Sequence, residues 1–323
     1  MASTIRSFSE SFPLASAFTI SRGTKTHAQV VRVEVSDGEK SGQGECVPYA
    51  RYGESVESVT AQIAELPQDV TREDLQEIMP AGAARNAVDC ALWDLEAKQS
   101  GKPVWQLAGQ SKPKELITAY TLSLDTPDAM RENAKANSFR PLLKLKLGTP
   151  DDVPRLKAVR EGAPQSQIIV DANEGWEVPT LIELQPELEK IGVSLIEQPL
   201  PEVNDDALSG SGISIPLCAD ESCHTSEGLS SLMGKYDVIN IKLDKTGGLT
   251  EALKMKSLAE AMGFRIFVGC MVGSSLGMAP AMLAAQGASF VDLDGPLLLA
   301  QDRSVGLRYE GSTVFPPTSE LWG

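Results

Sequence analysis

Three carboxylates recur at nearly even spacing in the middle of the sequence. Asp171 closes the apolar run IIVDAN, Glu197 closes LIEQPL and Asp220 closes LCADES, 26 and 23 residues apart. Acids gathered at one point repel, and a hard divalent cation is the simplest remedy. An oxygen-only set with room for water or substrate suits Mg²⁺ or Mn²⁺ better than Zn²⁺. Lysines flank this series. In LLKLKLG the period of an extended chain puts Leu143, Leu145 and Leu147 on one face and Lys144 and Lys146 on the other. In VINIKL, Asn240 and Lys242 share a face. Buried lysines are rare without partners, so these are expected to meet acids or substrate. A cation holding a substrate carboxylate stabilises the charge that grows when the adjacent C–H loses its proton. One lysine can then remove the proton and another, on the opposite side, return it. Surrounding positive charge is expected to lower the lysine pKa values enough for one to act as base. Lys245 is a weaker competitor, placed in the loop after that strand. Farther on, Asp292 and Asp294 of FVDLDGP share a face, where a paired acid suits a substrate ammonium group; a turn before Gly-Pro is the alternative.

One other motif leads nowhere. Gly273-Ser-Ser275-Leu-Gly277 matches the G-x-S-x-G nucleophile elbow, which needs a histidine later in the chain. The only histidines are His27 and His224, both earlier. The segment reads instead as a glycine-rich loop that lets substrate approach. His224 reads as a residue outside the strand face with no direct chemical role.

These side chains must be positioned by strands. From about Glu115 short apolar runs recur: ITAYTLSL, PLLKLKLG, QIIVDAN, SLIEQPL, SIPLCADE, DVINIKL, RIFVGCM and SFVDLDGP. Most precede a helix-length amphipathic segment, such as Thr250 to Met262, with Leu253, Leu258, Ala261 and Met262 on one side and Gly263 as its stop. Eight such units imply a (β/α)8-like barrel, whose sites lie at the C-terminal ends of the strands. No glycine fingerprint follows the first strand, which weakens a dinucleotide-binding alternative. Residues before about 110 read as an α+β unit. In HAQVVRVEV, Val31, Val33 and Val35 face one way and Val30, Arg32 and Glu34 the other, and a helix follows from Ala83 to Lys98. A β-like piece between Arg308 and Gly323 is expected to return to this unit.

The chain has 323 residues, 29 basic against 44 acidic, for a formal charge of −15. So acidic a surface disfavours nucleic acid. No apolar run approaches a membrane span, and MASTIRSFSESF lacks the apolar stretch of a secretory signal, so a cytoplasmic protein is expected. Five scattered cysteines without a CxxC pair argue for reduced thiols.

The succession K-x-K, D-x-N, E-Q-P, A-D-E-S and N-I-K resembles the muconate-lactonising subgroup of the enolase superfamily. GECVPYARYGES, PAGAARNAVDCALWDLEAK, CADESCHT, NIKLDKTGGLTEAL and DLDGP are similar to the bacterial L-Ala-D/L-Glu epimerases. The resemblance implies a modified (β/α)7β TIM barrel with an α+β N-terminal capping domain completed by the C-terminal segment. The corresponding divisions are 1–112, 113–300 and 301–323. It further implies Lys146 and Lys242 as opposed acid/base groups, Lys144 depressing the pKa of Lys146, and Asp171, Glu197 and Asp220 binding Mg²⁺. Asp292 and Asp294 would take the ammonium of a dipeptide, and Arg22 in ISRGT its glutamate side chain. The implied reaction is epimerisation by 1,1-proton transfer through an enolate, a division of labour that belongs to the superfamily as a whole. Cycloisomerase, o-succinylbenzoate synthase or N-acylamino-acid racemase activity is the alternative with the same lysines, and a non-catalytic metal-bound scaffold the alternative without them. Barrels of this kind often associate, so a homo-oligomer is compatible with the resemblance.

Overall fold

The computed structural model describes residues 4–149 and 152–323. It opens on an antiparallel sheet of β1 (Thr4–Ile20), β2 (Gly23–Ser36) and β3 (Ser41–Cys46), in that order. Val31, Val33 and Val35 are buried as their alternation requires, and Val30 is buried on the opposite face beside Val47 and Met271. The helices α1 (Val56–Ala64) and α2 (Arg72–Ile78) each begin with a reciprocal capping box, at Ser55 and Thr71. They pack around α3 (Ala83–Ser100), which Gly101 ends at φ 68°. β3 lies so close to α3 that a Cβ on Gly44 would stand 2.1 Å from the Ala87 carbonyl oxygen. Glycine is required there by distance alone.

The short helix α4 (Val104–Leu107) and strand β4 (Leu116–Ile117) lead into the barrel. Its units run β5 (Tyr120–Leu122), α5 (Pro127–Ala136), β6 (Leu142–Lys146), α6 (Asp152–Gly162), β7 (Gln167–Asp171), α7 (Val178–Ile191) and β8 (Val193–Glu197). They continue with β9 (Leu217–Ala219), α8 (Leu229–Leu232), β10 (Val238–Ile241), α9 (Leu243–Thr246), α10 (Leu249–Ala261), β11 (Arg265–Val268), α11 (Ser275–Ala284) and β12 (Phe290–Val291). The eight strands, β5 to β12, pair in chain order and in parallel. The Ala119 N–H donates to the Val291 carbonyl at 2.7 Å and joins the last strand to the first. Only a 3-10 turn, Gly295–Leu298, follows β12, so the barrel is of the (β/α)7β kind. After β8 the helix is likewise reduced to a 3-10 segment, Glu202–Leu208.

Side-chain parity sets the inside of the barrel. Ala119, Leu142, Ile169, Leu195, Cys218, Val238, Phe267 and Phe290, one from each strand or its start, form a closed apolar floor. Two residues farther along the strands the inward positions become polar: Lys144, Asp171, Glu197, Asp220, Asn240 and Asp292. Leu143, Leu145 and Leu147 point outward into the core shared with the helices, as the sequence predicts.

The face expected for α10 is displaced rather than reproduced. Leu249, Ala252, Met255 and Ala259 are buried, Leu253 and Met262 are half-buried against the core, and Leu258 is 44% exposed. Gly263 does follow its end, at φ 91°.

After the barrel, β13 (Tyr309–Glu310) and β14 (Thr313–Val314) form a small sheet with β4. The chain then returns to the N-terminal unit: Trp322 Nε1 donates to the Cys90 carbonyl at 2.9 Å and the Gly323 N–H to Asp94 at 2.8 Å. A second junction explains the Gly273–Gly277 segment. Buried Glu45 of β3 accepts from the Ser274 N–H at 2.8 Å and from its hydroxyl, and pairs with Arg303 at 2.6 Å. Cβ atoms on Gly273 and Gly277 would lie 3.0 and 3.2 Å from Glu45 Oε1. The glycines therefore admit a carboxylate of the capping unit, not substrate as their composition suggests. Among the described residues no helix is long and apolar enough to cross a membrane, and all five cysteines are free thiols.

Candidate active site

Strand register carries the acids to one point. Lys146 pairs with Asp171 across β6 and β7, and Asp171 with Glu197 across β7 and β8. Asp220 follows β9 directly. One oxygen from each of Asp171, Glu197 and Asp220 lies within 4.8 Å of the others, and all three residues are buried. Lys146 sits on β6 and Lys242 just past β10, four strands away in a ring of eight, so they face each other across the barrel with the acidic strands between.

Each lysine is held by an acid. Lys146 Nζ donates to Asp171 Oδ2 at 2.6 Å and Lys242 Nζ to Asp220 Oδ2 at 2.7 Å. Deeper, Lys144 Nζ is 3.0 Å from Asp292, 3.2 Å from Asp171 and 2.8 Å from Glu197 Oε2. The last is an ion pair without hydrogen-bond geometry, so Glu197 Oε2 is a buried oxygen with no hydrogen-bond partner. Lys245 belongs to α9 rather than to a loop. It is buried, donates to Asp220 Oδ1 at 2.6 Å and does not line the cavity.

Lys144 and Lys242 are shifted in the opposite direction to the sequence expectation. Burial pulls Lys144 and Lys242 down, but the carboxylates around them prevail and hold both above the usual lysine range. Lys144 answers chiefly to Asp292 and Glu197, Lys242 to Asp220. Their surroundings are acidic, and sequence spacing does not reveal which charge lies nearer. The acids divide as well. Burial and the neighbouring Asp171 push Glu197 up to about 7, whereas Asp171, despite its burial, is drawn down to about 2 by Lys146 and Lys144. A buried oxygen without a hydrogen bond and a carboxylate resisting ionisation, set among two further buried acids, are what a divalent cation would relieve, so the three acids fit Mg²⁺.

Asn240 has a part the sequence does not disclose. Its Nδ2 donates to Glu197 Oε1 at 2.8 Å, and Gly269 on the next strand leaves the room: a Cβ there would be 2.7 Å from Asn240 Oδ1. Asn173, Glu174 and Gln198 take positive φ values of 44°, 67° and 36° directly beyond β7 and β8. Such strained backbone concentrates at functional rims.

A cavity of about 780 Å³ opens above the acids, between barrel and capping unit. Lys144, Lys146, Asp220, Lys242, Asp292 and Asp294 line its barrel side. Asp294 Oδ2 accepts from the Thr121 N–H at 2.6 Å, and burial together with Asp292 pushes its carboxyl up to about 7. Asp292 Oδ1 is buried without a hydrogen-bond partner among the described residues. From the capping unit Arg22, between β1 and β2, reaches Glu221 Oε1 at 2.7 Å and Glu174 Oε2 at 3.2 Å. Tyr49 and Tyr52 form part of the same wall. His224 binds the Glu221 carbonyl at 2.9 Å and packs edge-on against Tyr52, outside the acidic cluster.

A barrel with one carboxylate from each of three successive strands and lysines on either side defines a metal-assisted carbon-acid enzyme. The chain belongs to the mandelate racemase/muconate lactonizing enzyme family of the enolase superfamily: the N-terminal domain of that family matches residues 2–109, and the enolase C-terminal domain-like model residues 127–301. It is 50% identical to an N-acetyl-D-glutamate racemase of Pseudoalteromonas over 91% of this chain and 95% of that one. To the L-Ala-D/L-Glu epimerase of Escherichia coli it is 45% identical over 95% and 97%. An enolase-family protein of Agrobacterium tumefaciens, solved with sodium and L-Ala-L-Glu, superposes with a TM-score of 0.97 at 56% identity over 99% and 100% of the two chains. A dipeptide epimerase of Cytophaga hutchinsonii, solved with Mg and D-Ala-L-Val, gives 0.91 at 30% identity over 98% and 94%. The sequence resemblance is thereby borne out at the level of superfamily and fold, and L-Ala-D/L-Glu epimerases are among the relatives.

Proposed function

We propose that this chain inverts the glutamate α-carbon of L-Ala-D/L-Glu dipeptides by moving a proton between Lys146 and Lys242. The observation that carries the reading is their placement half a barrel apart with three acids between them. The chain is an isomerase acting on amino-acid derivatives. Asp171, Glu197 and Asp220 would hold the cation. Mg²⁺ there would hold the substrate's terminal carboxylate, offset the charge growing at its α-carbon, and compete for Asp171 and Asp220, which hold the two lysines. One lysine then takes the α-proton on its side while the other, an ammonium, gives one from the far side. Lys144 balances Asp171, Glu197 and Asp292 beneath them. Asp292 and Asp294 meet the dipeptide's ammonium, for which the unpartnered Asp292 Oδ1 is a ready acceptor. Arg22, which lines the cavity, would take the glutamate side chain.

The same proposal includes the division into residues 1–112, 113–300 and 301–323, a cytoplasmic setting, a role in murein peptide metabolism, and a homo-oligomer as a compatible state. A second reading, racemisation of N-acetylglutamate, is favoured by the Pseudoalteromonas relative. The two differ in what meets Asp292 and Asp294. Exchange of the α-proton in D₂O, followed with Mg²⁺ on L-Ala-L-Glu and on N-acetylglutamate, decides between them. Exchange with the dipeptide is expected; exchange with N-acetylglutamate alone overturns the first reading.

A further inference from the structure

One face of α3 grips the segment that directly follows Lys242. Arg85 and Asn86 lie near the start of α3 and Asp89 one turn farther on, so the three project side by side. Lys242 is the N-cap of α9, a single turn that ends at Gly247. Asn86 Nδ2 donates to Asp244 Oδ1 at 2.9 Å, and the Val47 N–H, just past β3, donates to the same oxygen at 3.0 Å. At the other end of the turn Arg85 Nη2 donates to the Thr246 carbonyl at 2.7 Å and Nε to the Gly247 carbonyl at 3.2 Å. Where α10 begins, Asp89 accepts from the Thr250 N–H at 3.0 Å and from its hydroxyl at 2.6 Å. A Cβ on Gly247 would run into Arg85 Nε and one on Gly248 into Asp89 Oδ2, so these glycines let α3 come against the turn itself.

Arg85, Asn86 and Asp89 are all buried. Buried donors and acceptors have no water to turn to when a partner shifts, so these bonds hold α9 in place. What α9 carries is the chemistry of one side of the barrel. Lys242 at its start binds Asp220 Oδ2 at 2.7 Å, and Lys245 within it binds Asp220 Oδ1 at 2.6 Å. A rotation of the turn therefore moves both amines against that carboxylate. The chain beyond Lys146 is tied differently: the Gly148 and Thr149 N–H groups donate to Asp152 of the barrel at 2.8 and 2.9 Å. Arg85, Asn86 and Asp244 stand outside the cavity lining, so they can act on a substrate only through the lysine.

We propose that Arg85 and Asn86 are positioning residues for Lys242: the capping unit, through α3, sets the place of one of the two opposed amines and leaves the other to the barrel. The inference rests on the functional reading above, in which Lys146 and Lys242 act on opposite sides of one carbon. It makes the two directions of the reaction depend unequally on the seating of the capping unit.

The test is α-proton exchange of L-Ala-L-Glu and L-Ala-D-Glu in D₂O with Mg²⁺, in the native enzyme, Asn86→Ala and Arg85→Met, with Lys242→Met defining which dipeptide faces Lys242. Exchange of that dipeptide relative to the other is expected to fall on the order of tenfold in Asn86→Ala and in Arg85→Met, a part of the roughly hundredfold that a displacement of about 1 Å costs. The fall should come through kcat, with KM unchanged. Ser274→Ala breaks the other junction, at Glu45, and is expected to leave the ratio as it is in the native enzyme, because a general loosening slows both dipeptides alike. An unchanged ratio in Asn86→Ala, equal losses on both dipeptides, or the same bias in Ser274→Ala overturns the proposal. If Lys242→Met itself shows no bias, or the native enzyme exchanges neither the dipeptides nor N-acetylglutamate, the functional reading fails and this inference falls with it. If only N-acetylglutamate is exchanged, the ratio is read on its two enantiomers.

Discussion

Replacing Lys242 by Met removes one amine while keeping a side chain of similar length at a position only 5% exposed. The scaffold should survive, because Asp220 keeps Lys245 at 2.6 Å and Glu197 keeps Asn240 at 2.8 Å. The loss is then chemical. A positioned acid/base group contributes on the order of 10² to 10⁴ in rate, equivalent to about 3–5 kcal/mol of barrier. Because Lys146 lies on the opposite side of the barrel, the enantiomer whose proton faces Lys146 should still wash out its α-proton into D₂O. The enantiomer facing Lys242 should lose exchange by that factor, and net epimerisation, which needs both groups, should fall with it. Lys146→Met should show the converse pattern. The assay is ¹H NMR of L-Ala-L-Glu and L-Ala-D-Glu in D₂O with Mg²⁺. Equal loss for both dipeptides, or no loss for either, refutes the placement of the two amines on opposite sides of the stereocentre.

Other predictions follow from the same geometry. Mg²⁺ should raise the Tm in a concentration-dependent way, by about 2.7 kcal/mol of stability at a hundredfold excess over its Kd, and Asp171→Asn should abolish most of the shift in a thermal melt. Gly44→Ala forces a Cβ to 2.1 Å from the Ala87 carbonyl oxygen and should cost about 3 kcal/mol in urea unfolding; an unchanged midpoint would mean that β3 can lift off α3. Asp244 accepts from the Val47 N–H and Asn86 Nδ2, and burial pushes its carboxyl up to about 7. A carboxyl raised on folding stabilises fully below its unfolded pKa of 3.8 and progressively less as pH rises to its folded value. Asp244→Asn should therefore flatten the fall in stability between about pH 4 and 7 by on the order of 4 kcal/mol relative to the native chain, as read from unfolding curves across that range. Asp292→Asn should raise KM for L-Ala-L-Glu about tenfold or more if that oxygen meets an ammonium, with little change for an N-acetylated substrate.

The polar ring of the barrel is legible in the sequence because a strand has only two faces. Once Leu143, Leu145 and Leu147 are assigned outward, Lys144 and Lys146 must point in. The spacing of Asp171, Glu197 and Asp220 then reports neighbouring strands. What lies between units of the fold is not written in local periodicity. Glu45 enters the Gly273–Gly277 loop from 229 residues upstream of Ser274, so those glycines mimic a substrate-facing loop. The buried face of α10 is set by Leu249, Ala252, Met255 and Ala259, and the size of Leu258 gives no sign that it lies outside that face. The pKa values of Lys144 and Lys242 depend on distances to acids supplied by other strands; Lys144 does lower Lys242, as like charges must, but the carboxylates outweigh it.

The inner ring of the barrel also sets an electroneutrality condition on its contents. Lys144, Lys146 and Lys242 stand among Asp171, Glu197, Asp220, Asp292 and Asp294, a formal excess of two negative charges. A divalent ion would cancel that excess, so the cation would settle the charge of the enclosure as well as serve its chemistry.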